Sequence, residues 1–181
     1  LDLISNYENR EIFRIRSKII KKIRQFLDDR DFLEVETPIL TSIKAGANAR
    51  PFITKHNALG VDFYLRIALE LPLKKLVVGG FERVYELGKN FRNEGIDRKH
   101  NPEFTMLEFY QAYATFEDLM DLTEDLLCQL AEEVFGKTTF EFENKSFTLK
   151  KPFRRLRMEE AIYEIGGVLK EFNLRDLSDL A

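Results

Sequence analysis

Hydrophobic residues recur at three- and four-residue steps near the start of the chain. Ile12, Ile15, Ile19, Ile23 and Phe26 form one stripe, and Arg10, Arg14, Arg16, Lys18, Lys21, Lys22 and Arg24 crowd the positions between them. That period predicts an amphipathic helix over about 7–28 with a strongly basic back. Ser5-Asn6-Tyr7-Glu8 reads as its capping box. Asp28-Asp29-Arg30-Asp31 is turn material, after which Leu33, Val35 and Thr37 alternate with Glu34 and Glu36. The alternation predicts a strand that stops at Pro38, which has no N–H to give a ladder.

From about 50 to 113 the pattern is that of strands. Asp62–Ile67 and Arg83–Leu87 alternate and are rich in aromatic and branched residues, with a short helical reading at Leu69–Val78 between them. Gly88 and Gly95 punctuate this region. Thr105–Gln111 also alternates, which puts Met106, Glu108 and Tyr110 on one face and Leu107 and Phe109 on the other. Thr115-Phe116-Glu117-Asp118 then opens a second long helix, whose Leu119, Leu122, Leu126, Leu130 and Val134 run to a stop at Gly136. Phe140–Phe142 and Phe147–Leu149 flank Asn144-Lys145, a hairpin signal, and Met158–Ile165 predicts a third helix ending at Gly166-Gly167. Few helices among many strands, without an internal repeat, predict an antiparallel α+β domain rather than a βαβ array.

Composition narrows the class of function. A chain of 181 residues with 44% hydrophobic and 33% charged positions fits one folded domain. Its longest apolar stretch, Leu76–Phe81, is far short of the roughly 20 residues of a membrane span, and no basic-then-apolar leader opens it. A cytosolic setting without membrane contact is the expectation. The single cysteine, Cys128, lies on the second helix and reads as a small core filler. His56 and His100 are the only histidines and lack metal-ligand spacing, so no metal site is expected from this chain. The net charge of −3 gives nucleic acid no global footprint. Glu117, Asp118, Asp121, Glu124, Asp125, Glu132 and Glu133 form an acidic run that reads as a solvated face.

Candidate chemistry concentrates in Asn90–Thr105. The pattern predicts a strand carrying Arg92 and Glu94, a loop with Arg98, Lys99, His100 and Asn101, and a strand that opens with Phe104. A planar guanidinium binds phosphate oxygens bidentately, and an aromatic face beside it suits a purine. The residues alone leave two readings open: a polyphosphate clamp, or an exposed charged hairpin over a core phenylalanine. A second group joins carboxylates on strand-like segments, Glu70 after Arg66 and Glu108 beside Tyr110, which together suit an ammonium ligand. Taken singly, each of these reads more readily as a structural ion-pair member.

These segments carry a resemblance. Phe32-Leu33-Glu34-Val35-Glu36-Thr37-Pro38-Ile39-Leu40 resembles motif 1 of the class II aminoacyl-tRNA synthetases, and Phe91-Arg92-Asn93-Glu94 through His100-Asn101-Pro102-Glu103-Phe104-Thr105 resembles their motif 2. Gly46–Thr54, Tyr64–Ala68, Val77–Glu86 and Met106–Tyr113 are similar to the lysyl-tRNA synthetase branch, nearly continuously from about 6 to 128. The resemblance implies a class II antiparallel sheet flanked by helices, with motif 1 over about 10–40 and motif 2 over about 81–113. It implies activation of lysine by ATP to lysyl-adenylate, then transfer to tRNA(Lys), by a homodimer joined through motif 1. Arg92 would bridge the α-phosphate and the lysine carboxylate as the catalytic residue. Glu94 would meet the adenine amino group, Phe104 would stack on the ring, and His100 and Asn101 would lie at the phosphates. Gly46, Glu70 and Glu108 would hold the lysine ammonium, with Tyr110 along the side chain.

The chain departs from the family pattern in two respects. Ala68-Leu69-Glu70-Leu71-Pro72 stands where the family has Ala-Pro-Glu-Leu-Tyr, and Ala45-Gly46 where it has Gly-Gly, which moves the backbone restraint beside Glu70. Motif 3, the Mg²⁺ ligands and an anticodon-binding barrel find no counterpart in residues 1–181. The expectation is therefore a partial catalytic domain carrying motifs 1 and 2. Two alternatives accompany it: a non-catalytic synthetase relative used for dimerisation or nucleotide binding, and a ligase that loads an amino acid onto a protein.

Overall fold

A short helical turn, α1 (Asp2–Ser5), leads into α2 (Tyr7–Asp28), within a computed structural model that describes residues 2–98 and 100–166. The expected capping box does not form. Asn6 stands at the N-cap without a side-chain capping bond, because the chain arrives from α1 and Arg10 turns its guanidinium back onto the carbonyls of Leu3 and Ile4. Two short strands follow, β1 (Leu33–Glu34) and β2 (Leu40–Thr41), then β3 (Ile53–His56), β4 (Val61–Leu65) and α3 (Glu70–Val78). The chain continues through β5 (Arg83–Phe91), β6 (Glu103–Gln111) and α4 (Phe116–Leu130), which ends in one π turn at Ala131–Phe135. β7 (Thr139–Phe142), β8 (Lys145–Thr148) and α5 (Met158–Glu164) complete the described part. The predicted end of this last helix includes Gly167, which lies outside the described residues.

The central sheet has the order β1-β5-β6. β5 and β6 pair antiparallel from Arg83↔Gln111 to Phe91↔Glu103, and β1 joins parallel to β5 through Leu33↔Val84 and Glu34↔Tyr85. A second sheet, β2-β4-β3, is antiparallel throughout, as is the β7-β8 hairpin. The strand expected to run to Pro38 is thus only two residues long, extended by one bond from the Val35 N–H to the Tyr85 carbonyl at 2.9 Å. Gly88 does not break β5. It pairs with Met106 in the middle of the ladder.

Pleating sorts β5 and β6 into two cores. On one face Tyr85, Leu107 and Phe109 pack with Phe26, Leu27 and Phe32, against α2 and Leu122, Leu126 and Leu130 of α4. On the other, Val84 and Tyr110 pack with Leu69, Leu73, Leu76 and Val77 of the α3 segment. Glu86, Glu108 and Tyr110 therefore share the α3 face, and that layer carries the candidate site.

Elsewhere, Thr115 and Asp118 form the reciprocal capping box predicted for α4, and Gly136 ends it with a φ of 65°. The β7-β8 turn sits one residue earlier than Asn144-Lys145: Glu143 and Asn144 both have positive φ, and Lys145 already pairs with Phe142. The acidic run is only partly a solvated face. Arg155 binds Asp121 and Glu124, Lys151 pairs with Asp125, and Lys22 meets Glu133 at 2.6 Å, so basic residues from two other segments cover it. Cys128 is half-buried on α4.

One hydroxyl ties three elements together. Tyr85 donates to Asp28 Oδ1 at 2.8 Å, Glu34 Oε2 lies 3.3 Å from the same oxygen, and Arg24 Nε contacts both Glu34 oxygens at 2.9 and 3.0 Å. Burial, then its bond to Asp28 and the charge of Glu34, hold the phenol well above its ordinary range, so it stays a neutral donor. Tyr85→Phe should cost about 1.5–3 kcal/mol, the value of a hydrogen bond to a charged group. The check is the urea midpoint at unchanged slope, and a shift near zero would show the bond to be dispensable.

Candidate active site

The site rests on a buried ion pair. Arg66 and Glu86 are each 4% exposed at the side chain and meet at 2.5 Å. The Arg66 guanidinium also donates to the Thr37 carbonyl and hydroxyl, each at 3.0 Å, and to the Lys89 carbonyl at 2.9 Å. Glu86 accepts from the Thr37 N–H at 3.1 Å and its hydroxyl at 2.6 Å. Such a pair tolerates burial because both members carry further hydrogen bonds, from Arg66 to Thr37 and Lys89 and from Thr37 to Glu86. Gly88 makes room for it: a Cβ there would stand 2.5 Å from one guanidinium nitrogen. The Arg66 main chain bonds Ile39 on one side and Phe91 on the other, so the segment leading into Ile67–Glu70 is anchored at the far end of β5.

The loop between β5 and β6 forms the first part of the site. β5 ends at Phe91, so Arg92 and Glu94 lie beyond the strand rather than on it, although the Arg92 N–H continues the pairing to the Pro102 carbonyl at 2.9 Å. Arg92, Glu94, His100, Asn101 and Phe104 all line one cavity of about 590 Å³, with Asp97 and Pro102. The Arg92 guanidinium stands 5.3 Å from the centre of the Phe104 ring, and its Nε lies 3.4 Å from the Ile67 carbonyl. Glu94 is braced by the Arg50 N–H at 3.3 Å. His100 is held by Asp97 through both its N–H, at 2.8 Å, and its Nδ1, at 2.7 Å.

Gly46, Glu70, Glu108 and Tyr110 meet on the α3 face. Gly46 has a φ of +93°, and a Cβ there would come within 3.1 Å of Ala68 and 3.7 Å of Glu70, so only glycine fits on both counts. Glu70 opens α3 and is not on a strand; Pro72 sits within that first turn, where no helical partner is needed for its missing N–H. Leu69, in place of the family's proline, directs its N–H to Glu108 Oε1 at 3.5 Å. Tyr110 donates to Glu108 Oε2 at 3.3 Å. Burial, then the charges of Glu108 and Glu70, push its phenol up to about 12. Arg92 joins the two groups through one bond only, to the Ile67 carbonyl on the segment that ends in Glu70.

A family model described as tRNA synthetases class II (D, K and N) matches residues 1–178. The chain belongs to that class II synthetase family. Among curated relatives, it is 55% identical over 174 residues to the lysine–tRNA ligase of Chromohalobacter salexigens, 96% of this chain and 35% of that protein. It is 59% identical over 172 residues to the lysine–tRNA ligase of Actinobacillus pleuropneumoniae serotype 5b, covering 94% and 34%. With that of Clostridium novyi it shares 57% over 173 residues, covering 96% and 34%. The chain thus spans about a third of the length of these relatives.

Within this class II chain, several supporting residues had no signal in sequence spacing. Thr37, Arg66 and Glu86 converge from positions 20 to 49 apart. Arg50 braces Glu94 from 44 residues away. Asp97 is local to His100, and an Asp three residues before a His was the one available clue. Among the described residues no group of three or more His, Cys, Asp or Glu could hold a metal ion, and no helix is long and apolar enough to cross a membrane.

Proposed function

We propose that this chain supplies the nucleotide- and amino-acid-binding part of a lysine–tRNA ligase. The observation that carries the reading is the cavity lined by Arg92, Glu94, His100, Asn101 and Phe104, with Arg92 reaching the segment that bears Glu70. In the first half-reaction a lysine carboxylate oxygen attacks the α-phosphorus of ATP. The bond from that phosphorus to the β-phosphate bridge oxygen breaks, and pyrophosphate leaves. Arg92 holds the carboxylate and the α-phosphate in line and offsets charge on the five-coordinate centre. Phe104 stacks on the adenine, Glu94 accepts from its amino group, and His100 and Asn101 meet the phosphates. Gly46, Glu70 and Glu108 hold the ammonium, while Tyr110, kept neutral, lies along the side chain.

Transfer of the lysyl group to the terminal ribose of tRNA(Lys) follows in the same reading. The Mg²⁺ that the family implies has no holder among the described residues, and no step above runs through it. Residues 1–181 then form a partial catalytic domain, with motif 1 over about 10–40 and motif 2 over about 81–113. A homodimer through motif 1 is supported by apolar side chains left open there: Phe13 is 64% exposed, Ile12 62% and Ile39 42%. Light scattering would report the dimer mass, and a monomer at micromolar concentration would count against it.

Lysine-dependent ATP–pyrophosphate exchange, with the other amino acids as controls, tests the function. Exchange with lysine alone is expected from the protein as its gene encodes it. Exchange with a different amino acid, or nucleotide binding without exchange, would favour the protein-loading or the non-catalytic alternative.

A further inference from the structure

The ammonium group of Lys74 already sits where the proposed function puts the substrate's. Its Nζ lies 2.6 Å from Glu70 Oε1 and faces the Tyr110 ring at 6.0 Å from the centre. Glu70 and Lys74 are four residues apart on α3, the glutamate N-terminal to the lysine, the favoured order for a helical ion pair. The pair is not closed off: Glu70 is 36% exposed at the side chain and Lys74 53%, so an incoming cation can reach the carboxylate and Lys74 can swing into solvent.

With Lys74 engaged, Glu70 already holds one ammonium, while Glu108 is met by the Leu69 N–H and the neutral Tyr110 phenol. A second ammonium brought to Glu70 would lie within a few ångströms of the first and be repelled by it. The carboxylate has lone pairs for both, so the competition is electrostatic: each ammonium weakens the hold on the other.

We propose that Lys74 is an internal competitor for the amino-acid site, holding Glu70 until the ammonium of free lysine displaces it, and so setting the lysine concentration at which the site fills. The inference rests on the reading of Glu70 as the ammonium ligand. Lys74 is a positioning and specificity residue in this view. It touches no reacting atom, and it adds a threshold that any cation must overcome.

The test measures KM for lysine by ATP–pyrophosphate exchange, and lysine affinity by calorimetric titration, in the protein as its gene encodes it. Lys74→Met is expected to lower KM and to tighten lysine binding, each about two- to five-fold, the equivalent of freeing Glu70 from one exposed helical ion pair. Lys74→Arg, which keeps a cation on Glu70, is expected to restore values near those of the unsubstituted protein. Lys75→Met, the neighbouring charge on the same helix, is expected to leave lysine affinity as it was. An unchanged or raised KM in Lys74→Met overturns the proposal, as does an equal fall in Lys75→Met, which would reduce the effect to overall charge. Glu70→Gln separates the two levels of argument. If it leaves lysine affinity unchanged, or if the unsubstituted protein takes no lysine, the site reading itself fails and this proposal with it.

Discussion

Arg92→Ala is expected to reduce lysine-dependent exchange by at least about 10²–10³-fold, the loss that follows removal of one preorganised group from developing transition-state charge. The fold should survive the change. The bond that extends the β5-β6 ladder past Phe91 uses the Arg92 main chain, and the side chain adds only a ring contact at 5.3 Å and one long bond to the Ile67 carbonyl. Loss of that ring contact should cost about 1 kcal/mol or less. Arg92→Lys should recover a minority of the activity, since an ammonium keeps the charge but not the planar fork that spans two oxygens. Exchange and circular dichroism on the same preparations decide the matter. An active, folded alanine variant would remove Arg92 from the chemistry and leave the cavity a nucleotide site at most.

Helical and strand periods were legible because they report burial along one element. The stripe appears as α2 over Tyr7–Asp28 and is buried towards its Phe26 end while Ile12 stays exposed, and the split of Glu108 and Tyr110 from Leu107 and Phe109 appears as the two cores. The residues proposed for nucleotide and lysine could be named in advance because the motifs that carry them are local in sequence. What escaped was whatever depends on a partner far along the chain. Gly88 reads as punctuation until Arg66 is seen filling the space where its side chain would stand. The acidic face of α4 reads as solvated until Lys151 and Arg155 return to it. Strand length is also poorly encoded: Leu33–Thr37 alternates, yet only Leu33 and Glu34 find a full partner register, and Thr37 is drawn to Glu86 instead.

Arg66→Met should be the most damaging single change to stability, at about 3–5 kcal/mol, because it leaves the Glu86 carboxylate buried with only Thr37 to bind it. Against a typical total of roughly 5–15 kcal/mol, that loss would leave the variant marginal or unfolded. The double variant Arg66→Met, Glu86→Leu keeps the question answerable. Removing both charges abolishes the uncompensated one, so much of the loss should return, while the Lys89 carbonyl and the N–H, carbonyl and hydroxyl of Thr37 lose these partners. Urea midpoints for the two single variants and the double one give the coupling directly. A coupling near zero would mean that Arg66 and Glu86 act independently. A coupling of about 2 kcal/mol or more would identify the pair as one unit, as the geometry requires. The recovered double variant then offers a second reading. If it folds but exchanges poorly, Arg66 is needed to hold Ile67–Glu70 against β5, and with it the carbonyl that orients Arg92. If it folds and exchanges normally, packing alone is enough to keep that segment in place, and the charge pair serves stability only.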